Sequence, residues 1–333
     1  MREIGAMNAR SRAHSLEALA AWEPSFQQIG PNTGRFTLPH LPDVVSVRRE
    51  SLGWHTLSLP LPDLEDRVYA HDIASVAAQL LRVQHCLIAP VKFGRERHAG
   101  RYCLIGELAP GSAARDDACK AMFMGIREGL AQGMASLSGL TGVQPPAPHR
   151  EGARPQDEDH VSQQAPPENI REQLVESLRQ WGHDWSQHDT GFLIALDTAR
   201  YFQKIDVHLQ PKGVVYFQSQ LTVFPTQTLS EASQAALIAF LLYANHRLRL
   251  ARTSIVSVDV DEGDSDVSDM DHSKTAVVLE VATSAESLSP TFIEQALASL
   301  VVGARFMTLE VQALCQEDVA QAYMRAHDRG RSR

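Results

Sequence analysis

The sequence is short of the features that usually announce an activity. It holds four cysteines, Cys86, Cys103, Cys119 and Cys315, scattered and without a C-x-x-C pair. A disulfide or zinc framework is therefore not expected, and the thiols read as small buried hydrophobes in a reducing compartment. Basic residues are outnumbered, 31 Lys and Arg against 40 Asp and Glu, for a net charge of -9. Phosphate backbones require clustered cations, so nucleic acid is not an expected partner. Arg2, Arg10 and Arg12 are not followed by an apolar core of signal-peptide type. The most apolar run, Ala235 to Ala244, is far shorter than the ~20 residues that span a bilayer. A cytoplasmic chain with no membrane partner is expected. Nucleophile-elbow, zinc-protease, P-loop and dinucleotide fingerprints are also missing. A triad of distant residues stays open, because geometry and not spacing defines one. The expectation is a protein that is not an enzyme and takes no cofactor.

What is present is architecture. The 333 residues are 44% hydrophobic, enough for about two domains with real cores. A first unit over 12–141 and a second over 168–326 flank a stretch at 142–167 rich in proline and charge, with a basic tail at 327–333. The middle stretch buries too little apolar surface to offset its ordering entropy and reads as a flexible linker.

The second unit is regular. Asn169 with Glu172 has capping-box spacing, Ile170, Leu174, Val175, Leu178 and Trp181 share a helical face, and Gly182 is a stop. Strand-like runs follow at Gly191 to Asp197, Tyr201 to Gln210 and Val214 to Phe224, the last two separated by the turn residues Pro211-Lys212-Gly213. Ser230 caps a helix to about Leu248, two strands run from Thr253 to Val260 and from Thr275 to Ala282, and Ser289-Pro290 starts a helix to about Arg305. Thr308 caps a last one, ending near Ala326. The fold class expected is α+β, two tandem α-βββ-α-ββ-α units, each an antiparallel sheet packed by helices, together pseudo-dimeric.

The first unit repeats this order in degraded form. Its helices fall at Ser15 to Trp22, Asp72 to Cys86 and Ala114 to about Leu137. Its strands fall at Val44 to Glu50, Gly53 to Leu59, Leu87 to Phe93 and Arg101 to Leu108. Leu80 to Leu87 aligns on Leu241 to Leu248 at an offset of 161 (246 − 85), and Glu107-Leu108-Ala109 aligns on Glu280-Val281-Ala282 at 173 (280 − 107). These matches point to an internal duplication.

The segment Leu241 to Ala251, with Val277-Val278-Leu279-Glu280-Val281 and the helix start Leu288-Ser289-Pro290, resembles the YbjN-like proteins and the wider group sharing the fold of type III secretion chaperones. The resemblance covers about 168 to 326 and reaches the first unit only through the repeat. It implies helices against an antiparallel sheet, and a protein or peptide partner bound as an extended segment. It also implies a dimeric arrangement, as a homodimer or as an intramolecular pseudo-dimer, and offers no catalytic residues.

Individual motifs favour plain readings. The acidic stretch Asp259 to Asp271 fails the calcium-loop pattern from either Asp259 or Asp261, and reads as a solvated hairpin loop. His183, His188 and His272 lack the spacing that places two imidazoles on one metal, and no metal site is expected. His85 and His246 sit at matching helix ends, where the helix dipole favours them. Adjacent His85 and Cys86 point about 100° apart on a helix, so they are not a catalytic pair. The surface most open to a protein partner is the second face of the central meander. There Phe202, Lys204 and His208 should lie beside Tyr216, Gln218 and Gln220, a mixture of aromatic, amphipathic and amide groups suited to a peptide groove. The same face could instead pack on the other unit or on another subunit.

Overall fold

The computed structural model describes residues 19, 23–37, 44–49, 53–61, 73–88, 90–95, 101–109, 116–141, 167–198, 201–210, 213–225, 229–258 and 274–329. Unit 1 runs β1 (Gln27–Gly30), β2 (Thr33–Thr37), β3 (Val44–Arg49), β4 (His55–Pro60), α1 (Ile73–His85), β5 (Val91–Arg95), β6 (Tyr102–Leu108) and α2 (Asp116–Thr141). Unit 2 opens with α3 (Pro167–Trp181), followed by β7 (Asp184–His188), β8 (Gly191–Thr198), β9 (Tyr201–Gln210) and β10 (Val214–Pro225). It continues through α4 (Glu231–Arg247), β11 (Arg252–Val258), β12 (Lys274–Ser284), α5 (Pro290–Leu314) and α6 (Glu317–Arg329). The class is α+β, with two six-stranded antiparallel sheets ordered β1-β2-β3-β4-β6-β5 and β7-β8-β9-β10-β12-β11. Matching β1–β6 to β7–β12 makes the two orders the same, so the architecture is duplicated.

Three sequence expectations need correcting. Each sheet opens with a four-strand meander: β7 is added to the predicted strands of unit 2, and β1 and β2 to those of unit 1. The outer strands β1 and β7 are short and mostly exposed, so they lack the apolar alternation that reveals a half-buried strand. Asn169 lies inside α3, which starts at Pro167, a residue tolerated in the first turn because its missing N–H would be unpaired there. Thr308 is likewise mid-helix, its hydroxyl donating to the Ala304 carbonyl at 2.7 Å, and α5 runs on to Leu314. The predicted caps Ser230 and Ser289 do accept from the amides of Ser233 and Phe292, each at 3.2 Å. The predicted helix Ser15 to Trp22 apart from Leu19, the linker at 142–166, the acidic loop 259–271 and residues 330–333 lie outside the described residues.

Strand alternation builds the cores. In unit 2, Phe192, Ile194, Ile205, Val207, Val215, Phe217, Val277 and Leu279 are buried, as are Ile293, Leu297, Leu300 and Met307 of α5, which packs on β10 and β12. Each such side chain contributes roughly 1.5–3 kcal/mol on burial. One glycine of the long helix in each unit records the duplication. A Cβ on Gly129 of α2 would press tightly on Leu104 at 3.1 Å and Leu87 at 3.3 Å, and one on Gly303 of α5 on Leu248 at 3.1 Å and Leu279 at 2.6 Å. The same close approach of helix to sheet recurs at equivalent places.

Candidate functional site

The largest set of buried charges lies between the units, and its geometry is structural. The crossover helices trade places: α1 packs on β11 of unit 2, α4 packs on β5 of unit 1, and the two helices touch. Both β5 and β11 are sheet edges, with backbone groups that no strand pairs. Side-chain amides fill the gap. The Phe93 amide donates to Gln84 Oε1 at 2.9 Å, and its carbonyl accepts from Asn245 Nδ2 at 3.0 Å. In mirror fashion the Thr253 amide donates to Asn245 Oδ1 at 2.7 Å, and its carbonyl accepts from Gln84 Nε2.

Two cations repeat the symmetry. Lys92 donates to the carbonyls of Leu248 and of Ala251, the latter at 3.2 Å, and to Glu107 at 2.7 Å. Arg252 donates to the carbonyls of Leu87 at 2.5 Å and Val91 at 3.0 Å, and to Glu280 at 2.8 Å. An ammonium has three donors, and all three of Lys92's are used. Burial lowers the Lys92 pKa, with the Arg252 charge adding to the effect and Glu107 opposing it. A lysine so enclosed locks the units together and has no free proton donor to offer a substrate.

The carboxylates break the symmetry. Lys92 lies opposite Ile105 across β5–β6, whereas Arg252 lies opposite Glu280 across β11–β12. Strand pairing thus sets the offset there at 175 (280 − 105), two residues from the 173 read by sequence, and Glu107 sits two residues along the strand, on the same face, from the place equivalent to Glu280. Glu107 also accepts from Arg249 at 3.2 Å and from the Leu250 amide at 2.7 Å. That amide bond holds Leu250 at φ 60°, the one non-glycine left-handed conformation among the described residues. Glu280 receives His85 Nδ1 of unit 1 at 2.8 Å and the Ser254 hydroxyl at 2.9 Å. Burial alone would raise its pKa, but Arg252 and His85 outweigh that and hold it below the ordinary value.

The face proposed for a partner is divided. The strands pair as expected, Tyr216 opposite His208 and Gln218 opposite Asp206. Tyr216 is buried, its ring 6.0 Å from that of His85, so this end packs on unit 1. Burial pushes the Tyr216 phenol pKa up. Lys204 and Gln220 are exposed, while His208 and Gln218 are half-buried. Phe202 lies in β9 opposite Asp197. On the open part, Asp206 bridges two imidazoles, His188 Nε2 at 2.9 Å and His208 Nε2 at 3.4 Å. No three His, Cys, Asp or Glu among the described residues have the geometry to hold a metal.

That bridge leads to β7, which sequence reasoning missed. Leu209 donates to the Thr190 carbonyl at 2.8 Å, and Gly191 lies opposite His208. Alternation then turns Gly191, Leu193 and Ala195 towards β7, so Asp184, Ser186 and His188 bond inward while the backbones of Trp185 and Gln187 face outward. A Cβ on Gly191 would run into the Val207 carbonyl, so only glycine lets the β7–β8 turn lie this close to β9. Trp185 packs edge-on against Phe192 at 5.7 Å, and both it and Trp181, just before β7, remain half-exposed. A Trp before the Gly182 stop and another three residues after it was the available signal.

A cleft of about 470 Å³ lies between the units, lined by Ile88, Pro90, Met124, Leu250 and Phe292. Glu107 borders it, but that carboxylate is spent on Lys92, Arg249 and Leu250. The cleft could accommodate an apolar group. Compared with family models, curated proteins and solved structures, the chain shows no match to any of the three.

Proposed function

We propose that the chain is a non-enzymatic protein-binding module, chaperone-like or adaptor in role, which takes an extended protein segment along β7 and the adjoining open face of the unit 2 sheet. It would act in the cytoplasm and without a cofactor. The observation that carries this reading is the edge of β7, flanked by half-exposed Trp181 and Trp185. An unpaired edge is an aggregation hazard that proteins blunt with short strands, charges or proline; β7 (DWSQH) is short and carries Asp184, but has no lysine or proline to refuse a partner strand. Strand addition supplies backbone hydrogen bonds for affinity, while side chains on alternate faces give selectivity. Lys204, His208, Gln218 and Gln220 offer the polar contacts on the open face, and the resemblance of unit 2 to YbjN-like and secretion-chaperone proteins favours the same kind of ligand. A self-assembling structural protein, using the same sheet face, is the alternative.

Selection of a displayed peptide library on the folded chain tests this. Selected peptides should slow hydrogen exchange at the Trp185 and Gln187 amides, and Gln187→Pro, which removes an outward donor, should abolish their binding. Peptides that bind equally well to Gln187→Pro would remove β7 from the proposal.

A further inference from the structure

Around β7 the sequence His183-Asp184-Trp185-Ser186-Gln187-His188-Asp189 complements its own reverse. Laid antiparallel on a second copy with Ser186 opposite Ser186, Asp184 meets His188 and His183 meets Asp189, each pair occurring twice. Trp185 meets Gln187. Each such pair sets a carboxylate directly across the strands from an imidazole, an opposite-charge pair whenever the imidazole is protonated. The backbone phase agrees independently. Trp185 and Gln187 are the outward-bonding residues, and this register sets them opposite one another, as an exchanged pair of N–H···O bonds requires. Ser186 then forms a non-hydrogen-bonded pair on the two-fold axis.

We propose that a second copy of this chain is the strand that adds to β7, joining two six-stranded unit 2 sheets edge to edge about a two-fold axis at Ser186. The proposal rests on the reading that β7 receives an extended strand, and it names that strand. The contact is isologous, so it closes at two copies. Asp184 of the second copy extends the row His188, Asp206, His208 at its His188 end, so that this imidazole has a carboxylate on each side. The outer edge of unit 1, Phe26-Gln27-Gln28-Ile29-Gly30, carries no charge and has no such complement.

Register-specific crosslinking tests it. In a Cys86→Ser background, which removes the exposed thiol, Ser186→Cys should give a disulfide-linked dimer under mild oxidation. Opposed Cα atoms in a non-hydrogen-bonded pair lie about 4.5 Å apart, within disulfide reach. Asp184→Cys alone should not crosslink, because its two copies would lie about 13 Å apart, four residues at about 3.3 Å each. The unmodified chain should sediment as a dimer and Gln187→Pro as a monomer. Asp184→Lys, an exposed change that leaves the strand backbone intact, should weaken dimerisation about tenfold. A monomeric unmodified chain, with Ser186→Cys crosslinking no better than Asp184→Cys, overturns the proposal. If selected peptides still protect Trp185 and Gln187 in that case, β7 remains a receptor for a foreign strand; if they do not, the edge reading falls too.

Discussion

The inner edges of the two sheets are built alike and the outer edges are not. On β5 and β11 a side-chain amide from each crossover helix satisfies one edge residue, and a buried cation crosses to the opposite loop. On β1 (QQIG) and β7 (DWSQH) no such matched arrangement recurs. A unit that packs on its own duplicate must present a self-complementary inner edge, so substitutions there are constrained in pairs. The outer edges carry no such mutual constraint and have diverged, and the proposed function sits on one of them.

The equivalence of Lys92 and Arg252 predicts the largest effects and also where equivalence fails. Arg252→Met strands Glu280 wholly buried, with only His85 and Ser254 as partners, and should cost about 3–5 kcal/mol in urea unfolding. Lys92→Met should cost clearly less, because Glu107 keeps Arg249 and the Leu250 amide. Equal losses would mean that the displaced glutamate makes no difference.

Gln84→Leu and Asn245→Leu come next, each at about 1–3 kcal/mol for stranding a buried amide and carbonyl. Hydrogen exchange separates them: Gln84→Leu should deprotect the Phe93 amide, and Asn245→Leu the Thr253 amide. Deprotection of both amides by either change would show that the two halves of the junction open as one unit and not edge by edge.

Acid sharpens the difference between the carboxylates. Glu280 binds its proton more weakly in the folded chain than in the unfolded one, so unfolding takes up a proton in acid. The stability this supplies is complete above the ordinary carboxylate pKa, about 4.3, and is lost as pH falls through the lower folded value. Glu280→Gln should flatten that part of the stability–pH curve in chemical denaturation. An unchanged slope would assign the acid sensitivity to other groups.

How much of this the sequence disclosed follows from which residues were patterned. Alternating apolar residues marked β8, β9 and β10, and the serine caps marked α4 and α5, because burial and capping leave local periodic traces. The repeat across Gln84 and Asn245 was visible because those residues sit within matched helices. Their role was not, since it depends on backbone groups more than 150 residues away. Glu107 and Glu280 were matched by letters although strand pairing sets them out of step. Tyr216 belonged to a plausible open face until His85 of the other unit covered it. β7 escaped because an edge strand that bonds on one side only can stay polar.

The long helices give the smallest expected effect. On α2 the exposed side chains Lys120, Arg127 and Glu128 are charged, with Met124 the one large apolar exception, whereas α5 exposes Val302, Phe306 and Leu309, the last 73% exposed. With its inner face also apolar, α5 is the one described helix long and apolar enough by composition to cross a membrane, although Leu297, Leu300 and Met307 are packed in the unit 2 core. Phe306 is partly anchored, 6.5 Å from Phe240 and beneath the Arg247 guanidinium at 5.8 Å. Leu309 has no such support. Leu309→Gln should therefore change urea stability by no more than about 0.5 kcal/mol, while Leu300→Ala, one face round the same helix, should cost about 2–5 kcal/mol. A loss above 1 kcal/mol for Leu309→Gln would mean that the outer face of α5 is covered in solution, and would make α5, like β7, a surface on which unit 2 has departed from unit 1.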